Sequence, residues 1–227
     1  MVLNWSALQT AVLHETPYPW ILFEDIIAAN YQSELIKTYP TIENFEEIGE
    51  GYLSLATKLI AKEEIIPQLR EKNAHWQKLV DDGWIVSNIQ DFSEIWQRFI
   101  LELSTPAYRE ILGKLSGLKL ENYLMTIGFR RFHSEHVKFW IPHTDGPHRV
   151  LTHLFYFNEQ WSSDWGGCLQ ILSQKDTSSV VYNIPPLIGS SVALVETGSS
   201  WHVITPISPL APQHRLTMQT VFWLPLS

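Results

Sequence analysis

The sequence predicts a mainly β domain, an antiparallel sandwich or jelly roll, with helices flanking it. The composition changes once, near residue 120, and the chain after that point consists of short β segments bounded by Gly, Pro, Ser, Asn or Asp. Few helical patterns separate these segments, which favours antiparallel pairing over a parallel sheet with crossover helices. The predicted strands are 122–133, 136–141, 150–157, 167–172, 178–184, 190–196 and 214–224.

Helical periodicity marks the region before residue 120. Asp91 and Glu94 suggest a capping box at the start of one helix. Thr105 followed by Pro106 predicts the start of a second helix, and Gly117 its end. The apolar residues at helical spacing are Trp96, Phe99, Ile100 and Leu103 in the first helix, and Tyr108, Ile111, Leu112 and Leu115 in the second.

The first forty residues add a predicted strand at 19–26 and a helix at about 28–38, which stops before Pro40. No repeat or linker interrupts the chain, so we expect a single domain over 1–227. In this domain, residues 1–120 form a strand and helical support, and 121–227 the jelly-roll core.

Composition narrows the classes of partner and compartment. The chain has 227 residues, with 16 basic and 24 acidic side chains and a net charge of −8, so we expect no binding to nucleic acid or an anionic membrane. Cys168 is the only cysteine, which excludes an intrachain disulfide and favours a reducing cytoplasm. The sequence has neither a signal-peptide pattern nor an apolar stretch long enough to span a membrane.

Three residues have the chemistry of a metal site. His143 and Asp145 stand at positions i and i+2 of an extended segment, so both side chains point to the same side. His202 is the best candidate for a third ligand, because two histidines and one carboxylate suit non-haem Fe(II). Taken separately, the first two fit a chance surface pair, and His202 fits a hydrogen-bonded structural histidine. The interpretation therefore depends on the combination.

The last predicted strand offers an anion site. Alternation places Arg215, Thr217 and Gln219 on one face, opposite a mostly apolar face. If both faces are covered, the guanidinium needs an anion, and its planar fork suits a carboxylate to which a neighbouring hydroxyl adds a hydrogen bond. The alternative is an arginine that reaches solvent from an edge strand.

The order and spacing of these residues resemble the prolyl 4-hydroxylase-type branch of the Fe(II)/2-oxoglutarate dioxygenases, over about 120–225. The resemblance implies a double-stranded β-helix and a catalytic metal triad of His143, Asp145 and His202. It also implies that Arg215 forms a salt bridge with 2-oxoglutarate. The motifs that carry it are His143-Thr144-Asp145, the segment 149–158, Gly166-Gly167-Cys168-Leu169, His202 and Arg215.

Further roles follow from the same resemblance. Tyr156 matches a tyrosine that hydrogen-bonds the 2-oxoglutarate carboxylate in relatives, and Thr217 is expected beside it. Arg149 matches an arginine that contacts the peptide substrate in some relatives, although a solvated loop charge explains it equally well. Some peptide hydroxylases have a further tyrosine where this chain has His133, so that contact is not expected here.

The resemblance implies an oxygenase that uses Fe(II), 2-oxoglutarate and O2. The expected reaction hydroxylates an unactivated C–H bond of an amino acid or other small metabolite and releases succinate and CO2. A peptide or protein substrate, as in prolyl hydroxylation, is an alternative. A cupin-like metabolite-binding or isomerase protein is another, and it would need no anion anchor at Arg215.

Tryptophans are expected to wall the substrate pocket, namely Trp76, Trp84, Trp96, Trp161 and Trp165.

Overall fold

The computed structural model describes residues 1–40, 46–47, 53–57, 85–86, 92–132, 141–146 and 148–224. The α-helices in this part of the chain are α1 (Trp5–Thr10), α2 (Ala29–Lys37), α3 (Glu94–Leu103) and α4 (Pro106–Ser116). The strands are β1 (Val12–His14), β2 (Trp20–Phe23), β3 (Glu46–Glu47), β4 (Leu53–Thr57), β5 (Ile85–Val86), β6 (Leu124–Phe132), β7 (Arg149–Tyr156), β8 (Leu169–Leu172), β9 (Val180–Ile184), β10 (Ser191–Val195), β11 (His202–Ile204) and β12 (Arg215–Trp223).

The strands form two sheets. The larger has nine strands in the order β1-β2-β10-β7-β12-β6-β4-β3, with β5 paired to β4, and the smaller has three in the order β11-β8-β9. All pairings are antiparallel except that of β4 with β5. Apolar side chains of both sheets share one buried cluster, in which Leu154 and Tyr156 meet Leu169 and Ile171. The predicted antiparallel sandwich is therefore confirmed.

The two faces of the larger sheet bury different partners. In β7, Leu151 and Phe155 join the core beneath the helices, whereas Leu154 and Tyr156 point toward the smaller sheet. This division follows from the period of two along a strand, which sends successive side chains to opposite faces. Because both faces of β7 are covered, almost every residue of this strand is buried.

Helix α4 begins and ends as the sequence predicts. The Thr105 hydroxyl accepts a hydrogen bond from the backbone N–H of Tyr108, and Pro106 occupies the first turn. Gly117 ends the helix with a φ of 73°, a left-handed conformation that glycine adopts without a steric penalty.

The predicted capping box of α3 is wrong. The helix begins at Glu94, and its N-cap is Ser93, whose side chain makes no capping hydrogen bond. A capping box needs its Glu three residues inside the N-cap, whereas Glu94 is the first helical residue. Asp91 lies outside the described residues.

Most predicted strands are present with slightly shorter bounds, and the unit at 19–26 contains β2. The predicted strand 136–141 lies almost entirely outside the described residues, and β11 was not among the predicted strand ranges. None of the helices in the described part is both long and apolar enough to cross a membrane. The single-domain division at 120/121 stays a prediction.

A buried polar cluster links helix α4 to the sheet. The Tyr108 hydroxyl lies 2.8 Å from Nδ1 of His153 and 3.0 Å from Oγ1 of Thr220. Nε2 of His153 lies 2.8 Å from the Ser191 hydroxyl, so both ring nitrogens have partners. Burial lowers the pKa of His153 to about 3, because no solvent is available to stabilise the charged ring. His153 is therefore neutral in the folded protein.

This neutral histidine should make stability depend on pH. His153 contributes fully to the free energy of unfolding above the ordinary pKa of 6.5. This contribution is lost as pH falls toward the folded-state pKa of about 3, because the unfolded chain then binds a proton that the folded protein excludes. Between about pH 7.5 and about pH 5, the free energy of unfolding measured in urea should fall by roughly 2 kcal/mol more in the wild type than in His153→Gln. Equal losses in the two proteins would contradict this assignment.

Candidate active site

Two separate segments form the centre of the site. His143 and Asp145 lie in the connection before β7, and His202 is the first residue of β11. A short antiparallel bridge joins these segments, with both N–H···O distances between His143 and His202 at 3.0 Å. The imidazole rings of the two histidines are consequently close, with centroids 4.5 Å apart. The site therefore lies where the chain passes between the two sheets.

The backbone fixes the orientation of both imidazoles. Nδ1 of His143 lies 2.9 Å from the carbonyl of Ile141, and Nδ1 of His202 lies 2.9 Å from the carbonyl of Ser200. Since a carbonyl oxygen only accepts, each Nδ1 carries the proton, which leaves Nε2 with a free lone pair. Ligand atoms of His143, Asp145 and His202 all lie within 4.8 Å of one another. This arrangement suits one metal ion held on one side.

The protonation states of Asp145 and His202 also suit metal binding. Burial raises the pKa of the Asp145 carboxyl, but Arg149, His202 and the hydroxyl of Thr152 outweigh this effect and bring the pKa below its ordinary value. Oδ1 accepts from Arg149 at 2.7 Å, and Oδ2 accepts from Thr152 at 2.5 Å. Burial lowers the pKa of His202, although Asp145 opposes the shift. The pair therefore offers a carboxylate and a neutral imidazole.

A second part of the site is a buried arginine that has no acidic partner among the described residues. Arg215 is fully buried at the start of β12, and its Nε donates to the carbonyl of Gly167 at 2.7 Å. Both Nη atoms, the Tyr156 hydroxyl and the Thr217 hydroxyl are buried without a hydrogen-bond partner in the described part of the chain. Burying unpaired polar groups is costly, so three neighbouring side chains with this property indicate a site for an anion. A carboxylate fits their donors.

One cavity connects the two parts. It has a volume of about 190 Å³ and is lined by the three candidate ligands, by Arg215 and Thr217, and by apolar side chains of both sheets. Its apolar walls include Leu154, Leu169, Leu194 and Ile204. A small molecule with a carboxylate at one end and a metal-binding group at the other matches this lining. The site residues fit both Fe(II) and 2-oxoglutarate by this chemistry.

The structure settles one of two alternatives that the sequence left open. β12 lies between β6 and β7, so Arg215 is on an interior strand and does not reach solvent. Arg149 lines the cavity, but its guanidinium is ion-paired with Asp145 and lies 5.3 Å from the ring centroid of Trp223. Its role as a substrate contact stays a prediction.

The expectation that tryptophans wall the pocket is wrong where the structure describes them. Trp96 is fully buried among the helices, on the other face of the larger sheet. Trp161 and Trp165 pack with Phe132, which lines the cavity, but neither tryptophan lines it itself, and the Trp161 indole N–H donates to the carbonyl of Gly166 at 2.7 Å. Trp76 and Trp84 lie outside the described residues.

Sequence reasoning missed the residues that support the ligands. Thr152 holds Asp145 from an inward position of β7, which the alternation of that strand would have revealed. The Glu196 carboxylate accepts a hydrogen bond from the backbone N–H of Asp145 at 2.9 Å, and no sequence pattern predicts this contact.

Two facing antiparallel sheets with candidate metal ligands between them are typical of jelly-roll proteins that bind a metal. The family model of the 2OG-Fe(II) oxygenase superfamily matches residues 119–223. This segment is therefore similar to that superfamily, and the match together with the His-Asp-His cluster supports the expected cofactors Fe(II), 2-oxoglutarate and O2. No curated protein matches the chain.

Solved structures with a similar fold include prolyl 4-hydroxylases. One from Phytophthora capsici is 15% identical with a TM-score of 0.54, and the match covers 90% of this chain and 58% of that chain. A Pseudomonas putida prolyl-4-hydroxylase is 16% identical (TM-score 0.45, 78% of this chain, 89% of the other), and a Burkholderia pseudomallei 2OG-Fe(II) oxygenase family oxidoreductase is 13% identical (TM-score 0.41, 57% and 58%). The first similarity supports the double-stranded β-helix and concerns the fold alone.

Replacing the buried arginine should stabilise the protein when no ligand is present. Arg215→Met keeps much of the side-chain volume and removes the buried charge with its two unpaired Nη atoms, so the free energy of unfolding in urea should rise by about 1 kcal/mol or more. Arg215→Ala is the control, and it should be less stable because it leaves a cavity. A destabilised Arg215→Met would mean that the Nη atoms, like Nε, have partners in the ligand-free protein.

Proposed function

We propose that this protein is an Fe(II)- and 2-oxoglutarate-dependent oxygenase that hydroxylates an unactivated C–H bond of an amino acid or other small metabolite. The observation that carries the proposal is that one cavity is lined both by a His-Asp-His cluster and by a buried arginine whose Nη atoms have no partner among the described residues. Neither half would be sufficient alone. A metal-binding jelly roll of another function has no need for the anion site.

In this proposal, His143, Asp145 and His202 bind the metal from one side and leave the side toward the cavity open. Arg215 donates through its two free Nη atoms to the distal carboxylate of 2-oxoglutarate, while Thr217 and Tyr156 add hydrogen bonds. When bound, Fe(II) and 2-oxoglutarate supply the oxidising chemistry, in which O2 is consumed and succinate and CO2 are released.

The remaining residues of the cavity orient and shield the reactants. Arg149 and Thr152 each hold one oxygen of Asp145, so the carboxylate cannot rotate freely. The leucines between the sheets exclude water, which strengthens the charge pairing at Arg215.

A peptide or protein substrate is the second candidate. The position of Arg149 on the cavity favours it, because an arginine contacts the peptide in some of the prolyl hydroxylases that this sequence resembles. The ion pair between Arg149 and Asp145 favours the small-molecule reading, since that guanidinium already has a partner.

The cofactor assignment predicts a spectroscopic signal. Anaerobic protein mixed with Fe(II) and 2-oxoglutarate should develop the weak visible charge-transfer absorption of the chelate. His202→Ala should lose this band because a ligand is missing. Arg215→Ala should need roughly 30-fold more 2-oxoglutarate, because losing a buried charge pair costs about 2 kcal/mol or more. Absence of the band in the metal-loaded wild type would favour the cupin-like binding or isomerase protein.

Turnover should depend on Asp145 in the same way. Asp145→Gly removes one metal ligand and should abolish succinate release, whereas Asp164→Asn, which changes an exposed carboxylate, should leave it intact. Unimpaired turnover by Asp145→Gly would contradict the metal triad.

With the wild type, succinate release in the presence of free amino acids, other small metabolites and proline-containing peptides separates the two substrate classes.

A further inference from the structure

Glu196 lies where the chain leaves β10 in the larger sheet and turns toward β11 in the smaller one. Its carboxylate accepts three hydrogen bonds. Oε2 lies 2.9 Å from the backbone nitrogen of Asp145 and 2.9 Å from the hydroxyl of Ser200, and Oε1 lies 2.6 Å from the backbone nitrogen of Gly198. One side chain thus bonds both to its own loop and to a segment 51 positions away in the sequence.

We propose that Glu196 is a positioning residue for the metal triad, which it serves by fixing Asp145 relative to His202. This inference rests on the proposed function, because it assigns Glu196 a role only if these residues bind a metal. Glu196 itself is not a ligand in this proposal. It acts through the backbone of one ligand and through the loop that carries another.

The connection to Asp145 is direct. The bond from its backbone N–H to the Glu196 carboxylate is charge-assisted and therefore stronger than an ordinary amide–carbonyl bond. It fixes the backbone from which the ligand carboxylate projects. Thr152 and Arg149 then hold the two carboxylate oxygens.

The connection to His202 passes through Ser200. The Ser200 hydroxyl donates to Glu196, and the Ser200 carbonyl accepts from Nδ1 of His202 at 2.9 Å. Glu196 therefore holds the residue that sets the tautomer and tilt of the His202 ring. Outer partners of this kind commonly change metal affinity about 10- to 100-fold when they are removed.

The backbone bridge between His143 and His202 does not position Asp145, and Glu196 has this role. That bridge fixes the two histidines relative to each other, but Asp145 lies two residues beyond it. In the described part of the chain, the Asp145 N–H bonds to Glu196 and to no other group. Glu196 is half-buried at the rim and belongs to none of the apolar clusters, so its replacement leaves the core intact.

The test measures Co(II) affinity through its visible absorption in wild type, Glu196→Asp, Glu196→Gln and Ser200→Ala. Glu196→Asp keeps the charge but shortens the reach by one methylene, so it separates positioning from simple attraction between the carboxylate and the metal. We expect a Kd for Co(II) raised roughly tenfold or more in both Glu196 variants, with an altered Co(II) spectrum. Ser200→Ala keeps the bond to Asp145 and should show a smaller increase.

The matched control is Glu159→Gln, the same change at an exposed glutamate, which should bind Co(II) within about twofold of the wild type. Melting temperatures of the metal-free proteins check that each variant is folded, and both Glu196 variants should melt somewhat lower than the wild type because they lose hydrogen bonds of this carboxylate. If Glu196→Asp binds Co(II) as tightly as the wild type with the same spectrum, the inference is overturned while the proposed function stands. A wild type that binds no Co(II) overturns both.

If both Glu196 variants unfold, Ser200→Ala decides the question. This variant removes one buried hydroxyl and leaves the Glu196 carboxylate in place. An affinity and a spectrum identical to those of the wild type would then overturn the inference, and a weaker affinity at an unchanged melting temperature supports it.

Discussion

The pair of backbone hydrogen bonds between His143 and His202 is the constraint on which the site depends. One residue precedes β7 of the larger sheet and the other begins β11 of the smaller sheet, so this bridge joins the two layers at the cavity. Because it forms between main-chain atoms, it sets the distance between the two backbones from which the rings project, independently of side-chain rotamers. Two further backbone carbonyls orient the rings, so the geometry at the histidines is built largely from the fold itself.

A different constraint governs the other end of the cavity. Arg215 is fully buried with a single hydrogen bond from Nε, and this charged group would be more stable in water than in the ligand-free site. The surrounding sheet tolerates the cost because β12 is paired with β6 along its whole length and with β7 from Thr217 onward. An anion that pairs with Arg215 removes the free-energy cost of the buried charge, and this gain adds to the affinity for the anion. The paired strands therefore keep the fold stable while the hydrogen-bond donors of the pocket stay available to a ligand.

The sequence predicts the parts of this site that depend on local periodicity. The spacing of His143 and Asp145 and the alternation of Arg215 and Thr217 along a strand are visible without a structure, and the structure places all four residues on one cavity. β11 has only three residues, so no periodic pattern could reveal it. Glu196 is equally hidden, because its contact with Asp145 depends on which strands become neighbours. Trp96 was misplaced since aromatic content indicates burial without saying which face of the sheet is involved.

Strand β7 shows why the helical region matters to the site. Thr152 points into the cavity and holds Asp145, while the next residue, His153, points the other way and bonds to Tyr108 of helix α4. The core beneath the helices contains residues from Val2 to Phe222, so apolar faces of β7 and β12 are covered by chain that precedes the matched segment 119–223. That segment alone would expose Leu151 and Phe155 to water. The strand that carries Thr152 is held in place from its opposite face, and the N-terminal region thereby contributes to the geometry of a site that it does not line.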